Sequence, residues 1–253
     1  MINLKIPVGI SDFEKIRKNQ YYFVDKSGLI EELLNTESNE VTLITRPRRF
    51  GKTLGMSMLA SFFDIRRDSS ELFRGLKISQ KEELCQKWMN QYPVLFVTFK
   101  DVDGLDFQSA KEMLRIQIAD RCNEYLCLIS SEKVNENDKA IFRQLADVVK
   151  GDVSDAMLKT GIALIMRMLQ DYYEKPVILL LDEYDVPLAK ASAHGYYTEM
   201  LEVMRAMIST ALKDNPSLRF AVVTGCLRIS RESIFTGTNN FVSDTIFDTR
   251  LNE

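Results

Sequence analysis

The sequence predicts an α/β fold built on a parallel, doubly wound sheet, and two segments carry most of that prediction. The first is the apolar run Val41–Thr45, which passes through Arg46, Pro47, Arg48, Arg49 and Phe50 into Gly51-Lys52-Thr53 and then a helical stripe. The second is Val177–Leu181, an uninterrupted apolar run that ends in Asp182 and Glu183. Such a run reads as a central strand covered on both faces. Strands alternating with helices complete the argument, because parallel neighbours need a crossover between them.

A strand that ends in Gly-Lys-Thr before a helix is the back half of a phosphate-binding loop, the mark of a P-loop NTPase. Backbone N–H groups of such a loop, with the following helix N-terminus, surround the β-phosphate. Lys52 is expected to reach the β- and γ-phosphates, and the Thr53 hydroxyl to ligate Mg²⁺. Arg46, Arg48, Arg49, Phe50, Gly51 and Leu54 complete the candidate ATP-binding segment. The full pattern has Gly where this chain has Arg46, and a glycine there lets the backbone turn tightly.

Asp182 and Glu183 stand at the strand end where open α/β sheets bind ligands. Asp182 can hold Mg²⁺ through water, and Glu183 can orient or deprotonate an attacking water. Their adjacency predicts opposite faces of the strand. Alone, an apolar run with Asp-Glu reads as an ordinary strand entering a turn. After a Gly-Lys-Thr strand in the same chain, it fits a nucleotide site.

Ser11 with Glu14 three residues later forms a capping box that opens a short helix to about Arg17. Within 24–34, Leu29, Ile30, Leu33 and Leu34 share a helical face. Pro7, Val8 and Gly9 are candidates for backbone contacts to a base, or for plain surface packing. After the first strand, 53–63 reads as a helix with Leu54, Met58, Leu59 and Phe62 inward, and Gly55 permits close packing on the sheet. The stretch 64–83 reads as a loop with a short helix, and 93–99 as a second strand.

A long helical region follows. One stripe is Leu114, Ile118, Cys122, Tyr125, Leu126 and Ile129. Asp138 opens a second helix with Ile141, Phe142, Leu145 and Val149 inside and Gly151 as its stop. Residues from Met157 to Tyr172 mark a third. Core packing explains these stripes more simply than a partner interface. Beyond the acidic strand, Tyr184-Asp185-Val186-Pro187 reads as a fixed turn and His194 as an exposed loop residue. Met200 to Ala211 is a helix, and 218–224 the next strand. Thr236–Asn240 reads as a turn containing Asn239 and Asn240.

The chain resembles the predicted AAA-ATPase-like proteins of bacteria, in which a P-loop ATPase domain usually precedes a nuclease-like C-terminal region. Segments 7–17, 21–27, 43–54, 179–188 and 222–235 carry the resemblance, with R-P-R-R-F-G-K-T the most characteristic. It implies a sheet of the additional-strand (ASCE/AAA-like) type with an enlarged helical layer, and makes Arg46 the family's own form of the loop. It supports Thr224, at a strand end, as a γ-phosphate sensor. Arg228 or Arg231 could supply a cation in cis or across a subunit interface. Asp185 could position an arginine. A single domain over 1–253 is expected, with a pre-strand segment 1–40 and a nucleotide-binding core 41–253. By that resemblance, the family's usual nuclease-like part is expected to be missing from this sequence, and the last sheet strand to be incomplete.

Composition bounds the rest. A net charge of −3 gives no general argument for nucleic acid or membrane. The three loop arginines could offer a basic rim to nucleic acid, though a triphosphate beside them explains their charge. Four cysteines without zinc-type spacing and a single His194 read as free, mostly buried thiols and no structural zinc. No signal peptide or membrane-length apolar run is seen, so a cytoplasmic location is expected. The leading expectation is Mg²⁺-dependent ATP hydrolysis, slow without an added cation from a homo-oligomer or a C-terminal effector domain. The alternative is a non-hydrolysing ATP-gated interaction module. A phosphotransferase would need an acceptor pocket and lid, and a GTPase is disfavoured because no N-K-x-D motif is present.

Overall fold

The computed structural model describes residues 5–35, 40–149, 153–226 and 241–244. Helix α1 (Phe13–Lys18) opens the chain, followed by α2 (Gly28–Asn35), strand β1 (Val41–Thr45) and α3 (Lys52–Phe63). Next come α4 (Ser70–Phe73), a 3₁₀ turn (Lys77–Gln80), α5 (Glu82–Trp88) and β2 (Val94–Thr98). Helix α6 (Phe107–Glu124), a second 3₁₀ turn (Leu126–Ser130), α7 (Glu136–Ala146) and α8 (Asp155–Tyr173) then lead to β3 (Val177–Asp182). Helices α9 (Val186–His194) and α10 (Tyr197–Leu212) precede β4 (Leu218–Gly225) and β5 (Phe241–Asp244).

The five strands form one sheet in the order β2-β3-β4-β1-β5. Every pairing is parallel. β5 lies on the far edge of β1, in register over Val41–Ile44, so a strand does follow β4.

Two cores cover the sheet. Val177, Leu179 and Leu181 of β3 join α6, α7, α8, α9 and α10 in one core, while Ile178 and Leu180 join α1, α2, α3 and α5 in the other. This is the two-residue period of a strand buried on both faces. The same period carries Asp182 and, on β4, Thr224 onto the α3 face, as continuations of Ile178–Leu180 and Val222. The α/β class and parallel sheet expected from the sequence are thus present.

Several local expectations are corrected. Asp12, not Ser11, caps α1: its Oδ1 accepts the Lys15 N–H at 3.0 Å. Glu14 pairs sideways with Lys18 and Arg67. Helix α2 begins only at Gly28. The 64–83 stretch holds α4 and a 3₁₀ turn and runs into α5. Leu126 is 48% exposed because the chain tightens into a 3₁₀ turn after Tyr125 and the inward face changes. Asn135 caps α7, and Asp138 in its first turn is held by Arg167 at 2.7 Å. Val149 lies beyond α7 and is 90% exposed. Gly151, Asn239 and Asn240 fall outside the described residues. Of the thiols only Cys122 is buried, where burial pushes it up to about 12; Cys127 is exposed.

The fixed turn expected over 184–187 is present at Tyr184 and Asp185 and runs directly into a helix at Val186. Pro187 lies in the first turn of α9, where its missing N–H has no helical partner to lose. His194 ends that helix and Gly195 closes it at φ 84°. His194 is therefore exposed but helical, with its ring stacked on Tyr196 at 6.4 Å.

Candidate nucleotide site

Strand β1 delivers residues 46–51 at the C-terminal edge of the sheet. The Arg46 N–H bonds the Gly225 carbonyl at 3.2 Å, extending the β1–β4 ladder by one step. Its side chain is buried, with Nη1 on the Thr45 carbonyl at 3.2 Å. The left-handed turns fall later, at Arg49 (φ 70°) and Gly51 (φ 77°). Glycine's conformational freedom is thus used at the second glycine of the pattern, and the first position needs none. That is why an arginine fits there.

Gly51 is the N-cap of α3 and supplies no side chain to the first helical N–H groups. Those donors face the loop, and with the helix dipole they make an anion-binding end. Lys52 Nζ donates to the carbonyls of Arg46 (2.8 Å) and Pro47 (3.0 Å) and to Cys226 Sγ (3.2 Å). Thr53 and Leu54 are partly buried in the first turn of α3, while Arg48, Arg49 and Phe50 are exposed.

Two strands away, Asp182 is fully buried at the end of β3. Its Oδ1 accepts the Thr224 hydroxyl of neighbouring β4. Its Oδ2 is buried and has no hydrogen-bond partner. A buried carboxylate oxygen left unpaired is costly unless a cation meets it. The donor set therefore fits a hard cation such as Mg²⁺, which needs few protein ligands when phosphate and water supply the others. Among the described residues, no group of three or more His, Cys, Asp or Glu gathers into a metal cluster.

Glu183 lies one residue past β3 with φ 56°, in the left-handed region. The strand alternation therefore ends at Asp182, and simple opposition of the two carboxylates does not describe their geometry. This conformation costs on the order of 1 kcal/mol or more. It is held on one side by the Tyr184 N–H on the Thr224 carbonyl (3.2 Å) and on the other by the Val186 N–H on Glu183's own carbonyl (3.1 Å). Burial pushes the Glu183 carboxyl above its ordinary range, and Asp182 and Asp185 add to this; Lys52 and Arg48 oppose it. Lys52 and Arg48 thus act electrostatically on Glu183. Asp185, nearly fully buried, accepts the Cys226 N–H at 2.9 Å and so ties the start of α9 to the end of β4.

A cavity of about 660 Å³ runs from Gly51 and Lys52 along α3 to α2 and the segment around Tyr22. Of residues 7–9, Pro7 lines it, while Val8 is 85% exposed and neither Val8 nor Gly9 is among the lining residues. Tyr22 and Cys226 were not anticipated as site residues. The matched segment 21–27 held a signal for the first, but no motif for its chemistry. Arg228 and Arg231 fall outside the described residues.

A phosphate-type loop at the end of a central parallel strand, beside a buried acid on a nearby strand, defines a protein compatible with the P-loop NTPase class. The family model "Predicted AAA-ATPase" matches residues 7–235, so the chain belongs to the predicted AAA-ATPase family. A relative from Azotobacter chroococcum mcd 1, described as an uncharacterized protein in the vnfD 5′ region, is 29% identical over 257 residues. The match covers 99% of this chain and 42% of that protein, so the chain spans less than half of its relative's length. No solved structure matches. Among the described residues no helix is long and apolar enough to cross a membrane.

Proposed function

We propose that the chain binds ATP with Mg²⁺ and hydrolyses it. The observation that carries this reading is the grouping at one sheet edge of Lys52, the uncapped end of α3 and the Asp182–Thr224 pair. The strand order, with β4 between β1 and β3, supports the additional-strand (AAA-like) type. Helices α6, α7 and α8 between β2 and β3 support an enlarged helical layer.

In this reading the α3 N–H groups and Lys52 hold the phosphates. For phosphate, Lys52 exchanges its carbonyl acceptors for a charged oxygen, a stronger hydrogen bond. Thr53 and Asp182 hold the Mg²⁺, which neutralises charge on the transferring phosphoryl group. Glu183 orients the attacking water and takes its proton. Thr224 senses the γ-phosphate through its bond to Asp182, so a change at one is felt at the other. Arg228, or a second chain or effector region, supplies the further cation, and turnover is slow without it.

Calorimetric titration with ATP, with and without Mg²⁺, followed by a phosphate-release assay, tests the reading. The parent should bind and release phosphate, and Lys52→Ala should weaken binding by at least about tenfold while staying folded. Unchanged affinity in a folded Lys52→Ala protein removes the phosphate-loop assignment. Binding without phosphate release leaves the non-hydrolysing, ATP-gated module.

A further inference from the structure

Gly55 sits inside α3, where glycine is a poor helix former. Its backbone is not in the left-handed region, unlike that of Gly51. A Cβ added there would meet nothing within 4 Å, whereas one at Gly161 in α8 would come within 3.1 Å of Ile118. The close packing on the sheet expected for Gly55 is therefore absent. Neither conformation nor protein packing asks for glycine at this position.

The open space beside Gly55 belongs to the 660 Å³ cavity that begins at Gly51 and Lys52. That volume is in the range of small-molecule sites, roughly 300–1,000 Å³. Gly55 stands one turn beyond Gly51, roughly 6 Å along the helix axis. A ligand anchored by phosphates at the loop would reach it with its next moiety. Leu29, Leu54 and Met58 give the cavity apolar walls. Tyr22 and Phe50 also line it, yet are 52% and 57% exposed. Aromatic rings that line a cavity and keep part of their surface uncovered are able to stack on a flat heterocycle.

We propose that the nucleoside half of the nucleotide occupies this cavity, with its ring system on the bare backbone of α3 at Gly55 and Tyr22 and Phe50 flanking it. This rests on the reading of the loop as an ATP site. Gly55 is then a specificity-determining position: it keeps free the surface on which the nucleoside lies.

The test compares Mg-ATP with inorganic tripolyphosphate, which has the phosphates and no nucleoside, by calorimetry on the parent, Gly55→Met and Tyr22→Ala. Methionine is a good helix former and meets open space, so Gly55→Met should fold with unchanged helix content. It should weaken ATP by about thirtyfold and leave tripolyphosphate within about twofold. Tyr22→Ala should weaken ATP alone, by about tenfold. Equal ATP affinity for parent and Gly55→Met overturns the placement. So does an equal loss of both ligands, or a parent that binds ATP no tighter than tripolyphosphate. A parent that binds neither ligand removes the phosphate-loop reading itself, and this inference with it.

Discussion

The Lys52 ammonium donates to the Arg46 carbonyl at 2.8 Å, so the residue that departs from the phosphate-loop pattern also holds the pattern's lysine. Arg46 does this because its backbone stays in ordinary strand-like geometry and continues the β1–β4 ladder through Gly225. A glycine would add freedom to a backbone that does not need it, and would delete a buried, hydrogen-bonded side chain. Restoring the pattern with Arg46→Gly should therefore cost about 1–3 kcal/mol of stability and bring no gain in ATP affinity. Chemical denaturation and ATP titration check this together. A more stable or tighter-binding Arg46→Gly protein contradicts it.

The two acids should separate by function. Glu183→Gln should keep Mg-ATP binding and lose at least about a hundredfold in turnover, the usual scale for removing a general base. Asp182→Asn should instead lose the Mg²⁺ dependence of ATP binding if the buried, unpaired Oδ2 meets the cation as proposed. Parent-like hydrolysis by Glu183→Gln moves the water-activating role elsewhere.

Gly225 fixes the turn that carries Glu183. A Cβ at Gly225 would lie 2.5 Å from Tyr184 Cε1 and 2.8 Å from Asp185 Oδ1. Neither side chain can yield easily: Tyr184 is fully buried, and Asp185 is tied to Cys226. Gly225→Ala should cost about 1–3 kcal/mol by overpacking and should lower both turnover and ATP affinity, since Gly225 packs on the turn that holds Glu183 and its carbonyl accepts the Arg46 N–H of the phosphate loop. Melting curves and a split of kcat from KM measure the two effects. A parent-like melting temperature would show that the turn has room.

Strands β1 to β4 and α3 were legible in the sequence because a buried parallel strand is an unbroken apolar run, and a Gly-Lys-Thr at its end has few other readings; the short β5 at Phe241–Asp244 was not located. Helix α9 was not, because a proline just beyond a strand end suits a turn as well as a first helical turn. The Asp185 cap position, Pro187 in the first turn and Gly195 after the last were together a helix signature. Leu126 and Val149 failed for a different reason: periodicity was carried past the helix ends, where the face rotates. The loop, Asp182 and Thr224 could be named in advance, but not the bond between the last two, which depends on β4 lying beside β3. The cavity wall was hidden for a similar reason. Tyr22 reaches the site only through the packing of α1 and α2 on the α3 side of the sheet, which no local pattern encodes.

The cavity wall has its own acid-sensitive joint, at Asp25. Its Oδ1 accepts the Ser27 N–H at 2.8 Å and its Oδ2 the Lys77 N–H at 2.7 Å, while Ser27 Oγ accepts the Ile78 N–H at 3.1 Å. These bonds fasten the start of α2 to the 3₁₀ turn Lys77–Gln80. Burial pulls the Asp25 carboxyl upward, but the bonds from Ser27 and Lys77 outweigh it and hold the group below its ordinary 3.8. A carboxyl depressed in the folded state contributes stability above its unfolded value and loses it as pH falls through the folded one. At neutral pH, Asp25→Asn should lower the melting temperature by about 2 °C, a small effect because the group is only partly buried. The gap should start to narrow as pH falls towards 3.8 and should close only below the depressed folded value, where the parent carboxyl is protonated as well. Melting curves from neutral to strongly acid pH measure the gap. A gap that stays constant across that range would mean that Asp25 acts by shape and not by charge.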